Sequence, residues 1–356
     1  MFKAKKIPFK FFSKKRKTPF VLIIALGLCL VMGWVIQGVY FPVEKTSKKI
    51  ETVIIEKGES LKEIASKLQN KGVIKSKFFF ELYALLSNSA KNLQAGIYEI
   101  SSSMNIPQII SKLSAGEVAK EKIVIVEGWN LKDIAQALEK KGGLRAEEFL
   151  EKTGYLKPPE PSLISELEKK FDFLKEKPKD IGLEGYLFPD TYEIKKGEEV
   201  GKVIEKMLKN FEKKITPELK KEIKKQGKTL FQIITMASLL EREAKSYEDK
   251  QKIAGILWKR LKNGWKLQVD ATLTYILGKP SLLLTKEDLQ IDSPYNTYKY
   301  YGLPKGPICN PGIESIKAAI YYKETPFWFY LNTKDGRTLF SKTLKEHNFK
   351  RWKYLR

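Results

Sequence analysis

The stretch LFQIITMASLLEREAKS, residues 230–246, combines a regular apolar pattern with two glutamates at its end. The apolar side chains fall on one stripe of a helix with 3.6 residues per turn, which predicts that the segment packs into a core. The stripe comprises Leu230, Ile233, Ile234, Ala237, Leu240 and Ala244. Glu241 continues this stripe, whereas Glu243 is turned about 200° away, on the side of Met236 and Leu239.

Periodicity therefore predicts that Glu241 is the buried carboxylate of the pair. Burial raises the pKa of a carboxyl group, and a raised pKa suits a general acid. The alternative is a structural charge paired with Arg242, Lys245 or a distant arginine. The helix pattern leaves both alternatives open.

The 356 residues carry a net charge of +24. A chain of this length can bury a sizeable core in two or three domains. Such a positive field favours polyanions, which include nucleic acid, anionic lipid and a cell wall that bears carboxylates and phosphates. Composition alone does not choose among these partners.

The N-terminus has the pattern of a membrane anchor. Residues 1–18 contain eight lysines or arginines and no acid, and residues 19–41 carry no charge. An apolar run of about twenty residues spans a bilayer, and a basic flank stays in the cytoplasm. We therefore predict a basic cytoplasmic tail (1–18) and an uncleaved, single-pass signal anchor (19–41) in the inner (cytoplasmic) membrane. A buried core helix is the alternative.

Two kinds of processing are disfavoured for this anchor. The apolar run is too long for a cleaved signal peptide, and no A-x-A-like cleavage site follows it. Cys29 follows Leu28, which is too bulky for a lipoprotein processing site. With the anchor uncleaved, the rest of the chain lies outside the cytoplasm, which argues against nucleic acid as a partner.

The extracytoplasmic portion contains one cysteine, Cys309, and one histidine, His347. An intrachain disulfide needs two cysteines, and Ser-His-Asp, Cys-His and multi-histidine metal sites each need a histidine in a constellation. Carboxylate chemistry remains, and we predict no metal or other cofactor.

Two segments match at a constant offset of seventy residues: EKGESLKEIASKLQNKGVIKSKFF from Glu56 and VEGWNLKDIAQALEKKGGLRAEEF from Val126. Each predicts a strand, a glycine turn and an amphipathic helix. The first copy resembles the LysM-like module of cell-wall proteins. We therefore expect an α+β chain, with a LysM-like module at 42–120 and an α+β catalytic domain at 121–356. A chance βα similarity without glycan binding is the alternative.

Two later segments are rich in tyrosine, asparagine, threonine, glycine and proline: LQVDATLTY (267–275) and SPYNTYKYYGLPKGPICNPG (293–312). Loops of this composition present amides, hydroxyls and aromatic faces, which are the groups that bind an uncharged sugar. A purely structural Pro/Gly turn is the alternative.

Taken in order, MASLLEREA, LQVDATLTY, YNTY, GLPKGPICNPG, SIKAA and EHN resemble the endolytic murein transglycosylase family, also called MltG or YceG-like proteins. The resemblance implies an enzyme that cuts within nascent peptidoglycan strands, between N-acetylmuramic acid and N-acetylglucosamine, and leaves 1,6-anhydro ends. It also implies peptidoglycan synthases as partners and a role in limiting strand length.

In that family the catalytic acid is the second glutamate of the E-x-E pair, which is Glu243 here. This assignment differs from the periodicity argument for Glu241, and we prefer it because a catalytic carboxylate must reach a cleft. The residues expected to bind substrate are Gln268, Asp270, Tyr295, Asn296 and Tyr298, with Glu241 as a further candidate and Glu184 at the cleft edge. Asp270 could instead cap a helix that begins at Ala271.

The sequence departs from the family pattern at two places. Lys305 occupies the position of a second proline in GLPKG, and a histidine that many relatives carry is missing near Thr338 and Phe340. We expect His347 and Asn348 to close the domain structurally. Two other functions remain: a wall-binding scaffold without turnover, and a hydrolase for which a second carboxylate, Asp270 or Glu241, is essential.

Overall fold

A computed structural model describes residues 18–46, 49–155, 161–333 and 335–355. The chain divides into two compact units, Met1–Ala119 and Lys120–Arg356. Both units combine helices with two-stranded antiparallel sheets, which confirms the mixed α+β class. The predicted basic tail falls almost wholly outside the described residues.

The first unit begins with the apolar helix. Its elements are α1 (Thr18–Tyr40), β1 (Ile50–Ile55), α2 (Leu61–Asn70), α3 (Lys77–Leu86), β2 (Gly96–Ser101) and α4 (Ile106–Ser114). Strands β1 and β2 pair antiparallel with Val53 opposite Tyr98, and both side chains are buried. The apolar sides of α2, α3 and α4 complete this core.

Helix α1 is, among the described residues, the one helix long and apolar enough to cross a membrane. Its candidate span is Leu22–Tyr40, and only 6% of its apolar stretch is buried inside the protein. That exposure argues against a buried core helix, and the helix is consistent with a single-pass membrane protein.

Among the described residues, the second unit holds the remaining elements, with three short 3₁₀ turns. Its helices and strands are β3 (Lys120–Val124), α5 (Leu131–Gly142), α6 (Ala146–Thr153), α7 (Pro161–Lys170), β4 (Thr191–Lys195), α8 (Val200–Lys214), α9 (Pro217–Lys225), α10 (Leu230–Glu243), α11 (Tyr247–Lys262), α12 (Asp270–Leu277), α13 (Ile313–Ile320), β5 (Phe329–Asn332), β6 (Thr338–Ser341) and α14 (Leu344–Leu355). The sheets pair β3 with β4 and β5 with β6.

The predicted repeat forms a strand, a turn and a helix in both copies. Helices α2 and α5 start seventy residues apart, and each begins with a capping box, Ser60 with Glu63 and Asn130 with Asp133. The preceding turns contain glycines with positive φ, Gly58 at 91° and Gly128 at 82°. Such backbone favours glycine, which explains why both copies keep it there.

Helix α10 is the centre of the second unit. The predicted stripe from Leu230 to Leu240 is buried, but so are Met236 and Leu239 on the other side. Helices α9, α11, α12 and α13 surround α10, so its burial extends around the helix rather than along one face. The periodicity of the apolar residues therefore did not predict which side of α10 reaches the solvent.

The packing of α11 provides a test of this core. A Cβ at Gly255 would lie 1.9 Å from the main-chain oxygen of Lys323. We expect Gly255→Ala to lower the free energy of unfolding by about 1–3 kcal/mol, because the neighbouring main chain must move. Urea unfolding of the full-length protein in detergent, followed by circular dichroism, measures the effect.

Gly201→Ala is the matched control, because Gly201 also lies in a helix and its Cβ would meet only Glu199 Oε1, at 3.6 Å. We expect this change to be neutral or to stabilise by up to about 1 kcal/mol. Equal destabilisation by both changes would contradict the packing of α11 against Lys323.

Candidate active site

The last turn of α10 opens onto a pocket of about 300 Å³. Residues from α10 and from the β5–β6 hairpin surround it. The lining comprises Glu241, Arg242, Glu243, Ala244, Lys245, Asn332, Gly336 and Thr338. Asn332 donates a hydrogen bond to the main-chain oxygen of Glu243 at 2.7 Å, and Thr338 donates to Asn332 at 3.1 Å. These bonds attach the hairpin to the end of the helix.

Glu243 is half-buried at this pocket. Burial raises the pKa of its carboxyl group to about 7, and the negative charge of Asp270 acts in the same direction. A hydrogen bond from the Tyr330 hydroxyl and the charge of Arg260 lower the pKa by smaller amounts. At neutral pH the group is therefore present in both protonation states, as acid–base catalysis requires.

Arg260 is buried beneath this group. Its guanidinium donates to the main-chain oxygens of Leu267 and Trp328. These carbonyls lie before α12 and before β5, so one side chain joins these two segments. Its fixed positive charge stabilises the Glu243 carboxylate without a direct ion pair.

Asp270 and Tyr298, two of the predicted substrate residues, lie together. Tyr298 donates a hydrogen bond to the Asp270 carboxylate, and the pKa of Tyr298 is raised, chiefly by burial and then by this negative charge. Helix α12 begins at Asp270 itself, and its N-cap is Val269. The alternative in which Asp270 caps a helix from Ala271 is therefore wrong.

Gln268 has a strained backbone beside this pair. Its φ of 54° lies in the left-handed region, which a residue with a side chain seldom adopts. A hydrogen bond from the Gln268 N–H to the Thr297 oxygen, at 3.1 Å, helps to hold it. The Gln268 side chain is exposed. Strain of this kind is often found at functional sites.

Asn296 contacts its own loop. Its amide donates to the main-chain oxygens of Leu289 and Ile291, at 3.0 and 2.9 Å, and its oxygen accepts from the Tyr298 N–H at 2.9 Å. Only 1% of Asn296 is exposed, so these bonds occupy its polar atoms away from solvent. The structure thus gives Asn296 a loop-ordering role.

Glu184 belongs to a second buried polar cluster. Its carboxylate accepts from the Leu131 N–H at 3.1 Å, the Tyr275 hydroxyl at 3.3 Å and the Asn310 amide at 2.9 Å. Burial nevertheless raises its pKa to about 8. Tyr295, another predicted substrate residue, packs on Tyr275 with ring centroids 5.3 Å apart.

Asn310 is the connector of this cluster. Its oxygen accepts from the N–H groups of Gly185 and Leu187, both at 3.0 Å, and its amide also donates to the Trp129 oxygen at 3.1 Å. Asn310 lies within the motif GLPKGPICNPG. The composition of that motif did not predict that Asn310 would connect these buried segments. Arg260 and Tyr330 carried no sequence signal either.

Glu241 is buried, as periodicity predicts, but its partner differs from those expected. It forms an ion pair with Lys250 on α11 at 2.9 Å, rather than with Arg242, Lys245 or a distant arginine. Its other oxygen accepts from the Gly312 N–H at 2.8 Å, just before α13. The side chains of Glu241 and Lys250 are only 8% and 4% exposed. Through these two contacts, Glu241 links α10 to α11 and to the start of α13.

The remaining sequence candidates have structural contacts. Lys305 pairs with Asp180 at 3.0 Å, so the departure from GLPPG adds a surface ion pair. The ring of His347 stacks on Phe329 of β5 with centroids 5.4 Å apart. Cys309 is buried and its thiol donates to the Ser238 oxygen.

A pocket that exposes a carboxyl group with a pKa near neutrality is typical of enzymes that use acid–base chemistry. The sequence profile of the YceG-like family matches residues 53–353. The chain belongs to the YceG-like family, which confirms the resemblance drawn from its motifs.

Individual relatives agree with this assignment. An endolytic murein transglycosylase of Bacillus subtilis is 36% identical over an alignment of 322 residues that covers 88% of this chain and 87% of the relative. A protein of the same name from Streptococcus pneumoniae is 31% identical over an alignment of 352 residues that covers 92% of this chain and 62% of the longer relative. A solved yceG-like protein from Listeria monocytogenes matches with a TM-score of 0.58 and 37% identity, over 85% of this chain and 99% of that one.

The Glu241–Lys250 pair is expected to be a structural contact. Removing one partner from a buried pair leaves an uncompensated charge, which costs about 3–5 kcal/mol. We therefore expect Lys250→Met to destabilise strongly, and Glu241→Gln combined with Lys250→Met to recover much of the loss. Urea unfolding of both single variants and the double variant gives the coupling energy. Strictly additive effects would contradict a direct buried pair.

Proposed function

We propose that this protein is an endolytic murein transglycosylase with Glu243 as its catalytic acid and base. Such an enzyme cleaves peptidoglycan strands internally, between N-acetylmuramic acid and N-acetylglucosamine. The observation that carries the proposal is the Glu243 carboxyl group, at a pocket and with a pKa of about 7. Membership of the YceG-like family and the names of the relatives supply the reaction class.

In the first step protonated Glu243 donates its proton to the glycosidic oxygen as the bond from C1 of the muramic acid breaks. The departing N-acetylglucosamine thus leaves as a neutral alcohol. In the second step the resulting carboxylate accepts the proton of the muramic acid C6 hydroxyl, and the C6 oxygen attacks C1. The product is a 1,6-anhydro sugar, and Glu243 is again protonated.

The internal nucleophile explains why one carboxyl group is sufficient. An ordinary glycosidase needs a second carboxylate to activate water or to form a covalent intermediate. Here the attacking hydroxyl belongs to the same sugar ring, so its effective concentration is already high. Glu243 alternates between acid and base, which requires a pKa close to the working pH.

Neighbouring groups adjust this balance. Burial and Asp270 favour the protonated acid that begins the reaction, whereas Tyr330 and Arg260 favour the carboxylate that follows. These opposing effects keep the pKa of Glu243 near neutrality, so the group can act as an acid in the first step and as a base in the second.

Substrate binding is assigned to the loops beside Glu243. Gln268, with its exposed side chain, and the Asp270–Tyr298 pair are suited to hydrogen-bond sugar hydroxyls and the acetamido group. Tyr295 is suited to stack on a sugar face. Asn296 and Glu184 stabilise the binding loops through buried hydrogen bonds. Glu241 stabilises the end of α10 through its ion pair with Lys250.

The other parts of the chain serve to localise the enzyme. We assign α1 to a single-pass anchor in the cytoplasmic membrane, with residues 1–18 in the cytoplasm and the catalytic domain (121–356) outside. Residues 42–120 act as a LysM-like module, in which β1 leads through a glycine turn into α2. This placement gives access to nascent strands and to peptidoglycan synthases, and cutting there limits strand length.

Glu243→Gln tests the catalytic assignment. We expect it to reduce the rate of cleavage by about 10²–10⁴-fold or more, because glutamine cannot transfer the proton. Mass spectrometry of uncrosslinked glycan strands, incubated with the full-length enzyme in detergent, measures internal cuts and their ends. Glu248→Gln makes the same change at an exposed position of α11 and is expected to retain full activity.

The products distinguish the alternatives. Anhydro ends that disappear in Glu243→Gln support the transglycosylase. Free reducing ends would instead identify a hydrolase that admits water, and full activity in the variant would remove Glu243 from the chemistry. Strands that are bound but never cut by the wild type would identify a wall-binding scaffold.

Tyr330→Phe tests the pH dependence. Because the wild type needs protonated Glu243 to begin the reaction, we expect kcat/KM to fall as the pH rises through about 7. The lost hydrogen bond favoured the carboxylate, so the pKa of Glu243 rises in the variant and the fall moves to higher pH. A pH profile of kcat/KM on defined glycan strands measures the shift.

The control is Tyr192→Phe, which removes another buried hydroxyl, bonded to the Phe188 oxygen outside the pocket. Its pH profile is expected to match that of the wild type. A shift to lower pH in Tyr330→Phe, or the same shift in both variants, would contradict the action of the Tyr330 hydroxyl on the pKa of Glu243.

A further inference from the structure

Helix α3 has an exposed apolar face. Phe78, Leu82, Leu85 and Leu86 occupy positions i, i+4, i+7 and i+8, which lie on one side of a helix. Phe78, Leu85 and Leu86 are 53%, 64% and 77% exposed, and Leu82 is half-buried. The core of the first unit is on the other side of α3, where Phe80 is buried. Three large apolar side chains on one short helix therefore face outward.

This helix packs beside the C-terminal end of α1. The ring of Trp34 meets Phe79 edge-on, with centroids 4.8 Å apart, and Tyr40 meets Tyr83 edge-on at 6.3 Å. The approach is close at Gly38, where a Cβ would overlap the Phe79 ring at 2.2 Å. The outward face of α3 therefore continues the apolar surface of α1.

A groove of about 290 Å³ runs between the two helices. Its lining is almost entirely apolar or aromatic. The lining residues are Val35, Ile36, Val39, Tyr40, Leu82, Tyr83, Leu86 and Ser87. An apolar groove joined to a membrane-length helix suits hydrocarbon, and water gains no hydrogen bonds from such walls.

The position of the contact along α1 indicates its depth. The candidate span is Leu22–Tyr40, and α3 packs on the portion from Trp34 to Tyr40. Seven residues at 1.5 Å each extend about 10 Å along the helix axis. Interfacial helices bury their apolar faces about 5–10 Å into the headgroup and acyl boundary. The length of α1 that α3 contacts therefore matches the depth to which interfacial helices are buried.

We propose that α3 is embedded in the outer leaflet of the membrane, with its Phe78–Leu86 face in contact with lipid acyl chains. This inference rests on the proposed assignment of α1 as a membrane-spanning anchor. The first unit is then held to the membrane by two elements rather than by a flexible tether.

Site-directed spin labelling of the full-length protein in phosphatidylcholine–phosphatidylglycerol vesicles tests the proposal. Single nitroxides are placed at residue 85 and, as a second site on the same face, at residue 78, through Leu85→Cys and Phe78→Cys in a Cys29→Ser background. Cys309 is buried, and the Cys29→Ser protein without an added cysteine measures its background labelling. Collision rates with oxygen, which concentrates in lipid, and with a water-soluble nickel chelate report the environment.

Two reference labels make the result interpretable. Native Cys29, exposed within α1, reports on the anchor itself. Lys62→Cys labels an exposed position at the start of α2, at the far end of β1 from α1. We expect the oxygen-to-nickel ratio at residues 85 and 78 to be severalfold higher than at residue 62 and to approach the ratio at residue 29.

Every other outcome overturns the proposal. A lipid-exposed label at residue 29 with water-exposed labels at 85 and 78 would leave the anchor intact and remove α3 from the membrane. A water-exposed label at residue 29 would refute the anchor and with it this inference, without touching the chemistry of Glu243. Labels at 85 and 78 shielded from both reagents would show that a protein surface covers α3.

Discussion

The burial of α10 on all sides is the constraint on which the second unit depends. From Ile233 to Leu240 every side chain is enclosed by neighbouring helices, including the polar Thr235 and Ser238. Their hydroxyls donate to main-chain oxygens of the same helix. An ionised side chain within such a core would lose its hydration at a large free-energy cost, so charged residues are expected only where the helix leaves the core. Its two glutamates are therefore confined to the last turn.

These glutamates lie two residues apart but have different surroundings. Glu241 points into the packing between helices, and Lys250 and the Gly312 N–H satisfy its charge. Glu243 turns toward the pocket, where the neutral hydroxyl of Tyr330 acts on its carboxyl group. A cation in direct contact would keep the carboxyl group ionised, whereas a neutral donor leaves it able to gain and lose a proton near pH 7. The environment thus separates a structural carboxylate from a reactive one.

The loops around Glu243 depend on buried polar side chains. Arg260 joins the segments before α12 and before β5, Asn296 orders its own loop, and Asn310 connects the GLPKGPICNPG segment to residues 184–187. Irregular backbone inside a protein needs such donors and acceptors, because it cannot satisfy its own hydrogen bonds as a helix does. The strained backbone at Gln268 is maintained within this framework.

Local sequence patterns determined much of this protein. The apolar run of α1, the strand–turn–helix repeat with its capping residues, and the core stripe of α10 follow from interactions within a few residues, so periodicity and composition predict them. The motif resemblance supplied the family. Only the tertiary structure decided that Lys250 pairs with Glu241, that Tyr330 and Arg260 act on Glu243, and that Asp270 bonds Tyr298. These contacts join residues from 9 to 87 positions apart (250 − 241 and 330 − 243), and no helical or strand period encodes them. A fully buried helix meets a pocket on the side where the surrounding helices and strands end. The positions of those ends are set by the folded chain and not by the local sequence.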